Sequence, residues 1–492
     1  MMLWTVLWIA LPFLVAFSLY LLPQGDRRSR AIFDGRVLAL GVMLPSLAYA
    51  ITLFFQPDPL ALTLLNSFGV SLLVDNLSAF FILTNALVMV AVILYCWGTD
   101  KARFFYTQVI ILHGSINAVF ICADLISLYV ALEVIGIAAF LLIAHPRSDR
   151  SLWVALRYLF VSNTAMLFYL VGAVLVYQTH QSFAFTGLQG APAEAQALIF
   201  LGLLVKGGIF VSGLWLPLTH SEAESPVSAM LSGVVVKAGV FPLVRFALMV
   251  ETLDPVVRLF GVAAAVLGVL YALIETDTKR VLACSTLSQV GWILAIPEAA
   301  GFYALAHGLG KAALFLVVGK LPSRSLPVLR QQPIDTAYWV PLVFGSLSIS
   351  GFPFFAGFSA KMLTLKQGLP WQVAVLNCAA VGTAILYAKF VFLPHRPIPK
   401  TDRWAAQPGL WMALTLLLGG LLLANLGYLD AYAPGNVGKA LTIIALGGLI
   451  HWLVIQRVNL TLPQVMERFD NLVGNMSLVL VVLFWIAQSW VV

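Results

Sequence analysis

Apolar residues do not alternate along this chain. They run in nearly unbroken stretches separated by short segments holding proline, glycine and charged residues. A hydrocarbon core of about 30 Å needs about 20 residues at a helical rise of 1.5 Å, so each long stretch predicts a membrane-crossing helix. The pattern places such helices at 3–23, 36–55, 76–97, 104–122, 124–144, 153–176, 195–218 and 226–250. Eight more follow at 257–274, 282–296, 300–319, 338–365, 370–392, 410–426, 438–455 and 472–490. The expected fold is an all-α polytopic membrane protein of about 14–16 helices, with sixteen as the direct count. A barrel would show short strands of alternating polarity instead.

The fourth to eighth spans form one block of five and the ninth to thirteenth a second. An odd number of spans per block makes the second run the opposite way through the membrane, as in inverted-repeat transporters. Four regions follow: 1–103, N-terminal helices; 104–250, first repeat; 251–393, second inverted repeat; 394–492, C-terminal helices. Lysines recur in the fourth and fifth spans of each block: Lys206 to Lys361 is 155 residues, and Lys237 to Lys389 is 152. The two fourth spans read as broken helices. Lys206 precedes Gly207 and Gly208, and Lys361 follows SISGFPFFAGF, where Gly351, Pro353 and Gly357 interrupt the helix. Broken backbone at membrane depth belongs where protein buries it or water reaches it, although a kink can also serve packing alone.

Composition fits this class: 61% of the 492 residues are hydrophobic and 10% charged, with a mean hydropathy of +0.96. The net charge of +7 does not point to nucleic acid, because the basic residues lie in short loops rather than one stripe. With the N-terminus outside, alternate loops hold about 18 Lys and Arg on the inner side against about one, Lys366, on the outer. The first span lacks a basic leader and a small-residue cleavage site and reads as a retained helix. Cys96, Cys122, Cys284 and Cys378 show no CxxC spacing, and HSEAE, with one histidine, offers no metal-ligand pattern. Neither a metal, a redox cofactor nor a phosphate-binding loop is expected.

What remains to explain is the ionisable residues inside the apolar spans. A cation at the middle of a bilayer costs about 2.5–3.5 kcal/mol on insertion scales. Glu133 lies about 14 Å into its span, and Lys206 and Lys237 each about 17 Å into theirs, so all three sit near the midplane. Glu133 and Lys206 are expected to pair, whether as a structural salt bridge or as one that opens and closes. At 4 Å and an effective dielectric near 20 the attraction is about 4 kcal/mol. His307 and Lys311 lie one helical turn apart in HGLGKAALF and suit a relay, although a buried histidine can also be a satisfied core residue. Lys361 is a further candidate. Lys389, near the inner end of its span, is a weaker one that could snorkel to the headgroups. His220, Glu222 and Glu224 form an inner turn that reads either as a solvated loop or as an uptake point for protons or cations. Arg245 reads as structural.

KGGIFVSGLWLPLTHSEAESPVSAMLSGVVVKAGVFPLVR resembles the signature of the antiporter-like subunits shared by respiratory complex I, Mrp-type multisubunit sodium/proton antiporters and membrane-bound hydrogenases. VDNLSAFFIL from Val74, YVALEVIGIAAFLL around Glu133, DTKRVLACSTLSQVGWIL from Asp277, HGLGKAALF and GFSAK support it, collinear over roughly residues 70–365. The resemblance implies a proton path through Glu133, Lys206, Lys237, His307, Lys311 and Lys361, in a subunit with no redox site of its own. It also implies partner membrane subunits, with protons and sodium or another monovalent cation as cargo, in a bacterial inner membrane or an equivalent one. Ser232 departs from relatives that carry histidine there, which puts one relay step in question. About two spans lie beyond the usual fourteen, without the long lateral helix of the largest subunit type. The pattern is similar to a D-like Mrp subunit or its middle complex I counterpart, leaving cation/proton exchange and redox-driven pumping both open. A structural subunit with remnant lysines is the third alternative.

Overall fold

The computed structural model describes residues 2–21, 34–65, 69–397, 407–455 and 468–489. The basic segment at 27–30, part of the charge asymmetry, lies outside the described residues.

Helices α1 (Met2–Leu21) and α2 (Gly35–Phe54) precede an antiparallel hairpin, β1 (Leu60–Leu65) and β2 (Gly69–Val74), registered Leu60 to Val74 and Thr63 to Ser71. The sequence pattern assigns no element between the helices at 36–55 and 76–97, because two six-residue strands beside long helices leave little periodic signal. Then come α3 (Asn76–Cys96), α4 (Arg103–Ile121), α5 (Leu125–Ile143) and α6 (Asp149–His180). The expected seventh span is a bent pair, α7 (Ala193–Gly207) and α8 (Leu216–Glu222), and α9 runs Ser225–Met249. The second block holds α10 (Asp254–Ile274), α11 (Thr278–Ala295), α12 (Ala300–Val318), the pair α13 (Thr336–Ser350) and α14 (Ala356–Gln367), and α15 (Pro370–Val391). Helices α16 (Pro408–Leu426), α17 (Pro434–Ile450) and α18 (Phe469–Ser489) close the chain.

Twelve of the described helices are long and apolar enough to cross a membrane, and the bent α7/α8 pair makes a thirteenth. Less apolar α11, the broken α13/α14 pair and α18 occupy the other three expected positions. Aspartates set several helix starts: Asp75, Asp124 and Asp277 each accept a backbone N–H three residues on, at 2.7–3.0 Å, a cap worth about 1 kcal/mol.

Helix α12 is buried along its whole length and α9 from Pro226 to Ala247, and the two form the centre. Helix α12 packs on α3, α11, α13 and α16, and α9 on α7, α11 and α12. Two of the last three helices attach to different blocks, α17 to α15 and α18 to α7. Both breaks are made by a glycine in the left-handed region, Gly208 (φ 66°) and Gly351 (φ 89°), where a side chain would be strained. At the first break α7 touches α9 backbone to backbone, since a Cβ on Gly239 would come within 2.2 Å of the Gly207 nitrogen. That contact sets Lys206 and Lys237 on adjoining turns of two helices.

Candidate functional site

Lys206 occupies the last turn of α7, and its buried Nζ donates to Ser162 Oγ of α6 at 2.5 Å. It lies over Gly136, where a Cβ would stand 2.9 Å from Nζ. Glu133, one turn from Gly136 on α5, is within electrostatic range of Lys206. Yet among the described residues no carboxylate comes within 4.0 Å of Lys206, and Glu133 Oε1 is buried without a hydrogen-bond partner. The expected contact pair is therefore a separated one, because the nearer Ser162 hydroxyl satisfies the ammonium.

Lys237 follows a π-helical turn, Leu231–Val235, inside α9. A π turn widens the helix and leaves carbonyls available, a feature common at functional sites. Here Lys237 Nζ donates to Gly233 O at 2.5 Å and stands 3.1 Å from His307 Nδ1 of α12. When Nδ1 accepts, a neutral imidazole carries its proton on Nε2, which has no partner among the described residues. One turn further, Lys311 Nζ donates to Leu282 O of α11 at 2.8 Å and lies over the Tyr387 ring of α15.

Lys237 also touches the backbone of the π turn that holds Ser232, its Nζ donating to Ser232 O at 3.4 Å. Ser232 Oγ stands 2.7 Å from Thr286 Oγ1, Thr286 Oγ1 donates to Leu282 O at 2.9 Å, and that carbonyl also receives Lys311. The hydroxyl of Ser232 thus belongs to the polar network around Lys311.

Lys361 lies beyond the second break, on α14, whereas Lys206 lies before the first. Its Nζ donates to Ser350 O at 3.2 Å and sits over the Trp292 ring. On neighbouring turns the side-chain atoms Trp292 Nε1, Gln289 Nε2, Ser346 Oγ and Ser348 Oγ are buried without partners, which is how a hydrated region is lined. No hydrogen bond joins Lys206 to Lys237, or Lys311 to Lys361, among the described residues.

The weaker candidates separate. Lys389 Nζ donates to Ala272, Leu273 and Glu275 carbonyls at 2.6–3.0 Å, closing the C-terminal end of α10 rather than snorkelling. His220 is not in a solvated turn. It is fully buried on α8 between Trp215 and Phe315, with neither ring nitrogen hydrogen-bonded among the described residues. Glu222 pairs with Arg150 at 3.8 Å and Glu224 with Lys101 at 2.7 Å, while Lys279 Nζ donates to Ala223 O at 2.7 Å. Arg245 pairs with Asp75, as its structural reading expects. Among the described residues no group of three His, Cys, Asp or Glu could hold a metal.

Ser162, Thr286 and Lys279 were not singled out from the sequence. A lone hydroxyl in an apolar span gives little signal, and Lys279 sits at the loop edge of α11.

Comparison with known proteins adds three findings. The sequence family described as NADH:quinone oxidoreductase/Mrp antiporter, transmembrane, matches residues 122–386. Among similar chains is NAD(P)H-quinone oxidoreductase chain 4 1 of a Synechococcus species, 28% identical over 426 residues, covering 79% of this chain and 80% of that one. Another is the D-type component of the Na(+)/H(+) antiporter of Alkalihalophilus pseudofirmus, 25% identical over 416 residues, covering 77% and 84%. In fold, the chain is similar to one in an archaeal membrane-bound sulfane sulfur reductase (TM-score 0.76, 21% identity, 91% and 99% covered). It is also similar to a chain of the Mrp complex of a Dietzia species (TM-score 0.70, 22% identity, 92% and 99% covered).

Proposed function

This chain belongs to the NADH:quinone oxidoreductase/Mrp antiporter transmembrane family, and we propose that it is the proton-translocating subunit of a larger membrane complex, working in cation/proton exchange of Mrp type. The observation that carries the reading is the line of buried lysines at the centre of the bundle, with Lys237 in contact with His307 and Lys311 one helical turn beyond that histidine on the same helix.

Protons are taken up from the inner side past Glu222 and His220, move laterally through Lys237, His307 and Lys311, and leave through Lys361. Glu133 and Lys206 gate the first half. When they close to contact, the carboxylate holds the ammonium charged; when they part, Lys206 can pass its proton on. The separated arrangement, with Lys206 on Ser162, fits the second of these states. The two five-helix blocks, each with its broken helix, act as inverted repeats in a bacterial inner membrane or an equivalent one, with the N-terminus outside.

A second reading shares this wire and differs in what drives it. The Synechococcus relative is named for quinone oxidoreduction, which favours redox-driven pumping in which partner subunits supply the chemistry. Purifying the native complex and identifying its subunits decides between them. Small antiporter subunits alone support exchange; iron–sulfur and quinone-reducing subunits overturn it in favour of the second reading.

A further inference from the structure

We propose that the bundle carries a water-filled proton vestibule at the end where α3 and α12 begin, shut at its floor by an aromatic gate of Phe80 and Phe302 directly above the Lys237–His307 pair. The inference deepens the proton-path reading and rests on it for its purpose, but its geometry stands on separate observations.

A cavity of about 310 Å³ opens among the ends of α3, α9, α12, α14 and α16, on the face that the charge pattern predicts to be outer. That is room for several waters. Asn76, Glu298, Gln367 and Tyr428 give its wall polar groups, and Glu298 is held at the rim by Arg258. Going inward, the wall turns aromatic. Phe80 and Phe302 meet edge to face with centroids 6.2 Å apart, and Phe302 packs on Tyr428 at 4.0 Å. Gly301 admits this closure, since a Cβ there would come within 2.7 Å of the Phe80 ring.

Beneath the floor the surroundings become polar again. Thr84, one turn past Phe80, donates its hydroxyl to Phe80 O at 2.7 Å and is fully buried. It packs on Gly308: a Cβ on that glycine would meet the Thr84 methyl at 2.4 Å and Lys237 Nζ at 3.6 Å. His307 is five residues past Phe302 on the same helix, about 7.5 Å deeper. Water above and an amine–imidazole pair below are thus separated by about one layer of rings. An apolar constriction of that thickness blocks water, and with it protons, until the rings swing aside.

Thiol labelling in sealed membranes tests this in the full chain, with Cys378→Ser removing the exposed native cysteine. The probe is a charged, membrane-impermeant maleimide applied from the outer side. Leu77→Cys, on the vestibule wall, is expected to label readily, and Thr84→Cys, below the floor, at least tenfold more slowly. Adding Phe80→Ala, or separately Phe302→Ala, is expected to bring Thr84→Cys to within about threefold of the Leu77→Cys rate. Leu77→Cys labelling in the same backgrounds checks that the fold survives. The proposal is overturned if Leu77→Cys is unreactive, if Thr84→Cys labels as fast as Leu77→Cys with both rings present, or if neither ring deletion accelerates it. Labelling does not require proton movement, so loss of the transport reading leaves the vestibule standing, and the reverse also holds.

Discussion

Lys237 Nζ stands 3.1 Å from His307 Nδ1, and the two residues come from different helices at the centre of the bundle. One proton serves the contact: either the ammonium donates to the ring, or a neutral amine accepts from it. Lys237→Met removes the amine, and Lys237→Arg replaces it with a group that does not deprotonate in proteins. Both are expected to lower proton movement about 100-fold or more, the scale of a lost acid–base group. Dye-quench uptake into inverted vesicles reads the effect. Arginine activity close to that of the wild type would contradict a shuttling role.

The Ser232–Thr286 link offers a finer test. If that contact holds the Leu282 carbonyl on which Lys311 is anchored, Ser232→Ala and Thr286→Ala each lower the rate about two- to fivefold, and together no further, because either change breaks the same contact. Additive losses in the otherwise native chain would assign the two hydroxyls independent roles.

At the first break, Ser162 holds the ammonium that Glu133 does not touch. Ser162→Ala leaves Lys206 to close on Glu133, which is expected to slow transfer about tenfold, near the lower worth of one hydrogen bond to a charged group. Ser162→Thr keeps the hydroxyl and is expected to recover most of the rate. An unaffected alanine variant would show that Ser162 plays no part in the gate.

How much of this was readable beforehand varies with how local each feature is. The depth of Glu133, Lys206 and Lys237 follows from counting residues along a span, and both breaks follow from their glycines and proline. Partnership does not. Serine at 162 is ordinary in an apolar helix until α7 is laid against it. Lys389 lies near the end of its own helix, yet its amine is captured by the last carbonyls of α10, over a hundred residues earlier. His220 reads as a turn residue because Glu222 and Glu224 follow it, but α8 folds back into the interior and buries the ring.

Outside the spans, Asp75 links β2 to α3 and receives Arg245 Nη2 at 3.0 Å, with a further N–H from Ser78. Burial opposes ionisation of Asp75, and Arg245 together with Ser78 more than offsets it, so the carboxyl is held below its ordinary value. A folded value depressed in this way contributes stability that is fully present above the unfolded value of about 3.9 and is lost as pH falls through the folded one. Asp75→Asn is expected to cost about 2 kcal/mol at pH 7, less than for a fully buried pair because the carboxylate is partly exposed. The gap in thermal unfolding temperature between the two proteins should narrow as pH falls toward 3. A gap that widens in acid would reverse the sign argued here.

The central claim is that Glu133 and Lys206 gate a proton path that runs through the buried lysines. Its most direct test is proton uptake by the native complex reconstituted with Glu133→Ala or Lys206→Ala, after gel analysis shows that the complex still assembles. The account predicts that each variant assembles fully and moves no protons above background. Uptake at the wild-type rate in either assembled variant would contradict it.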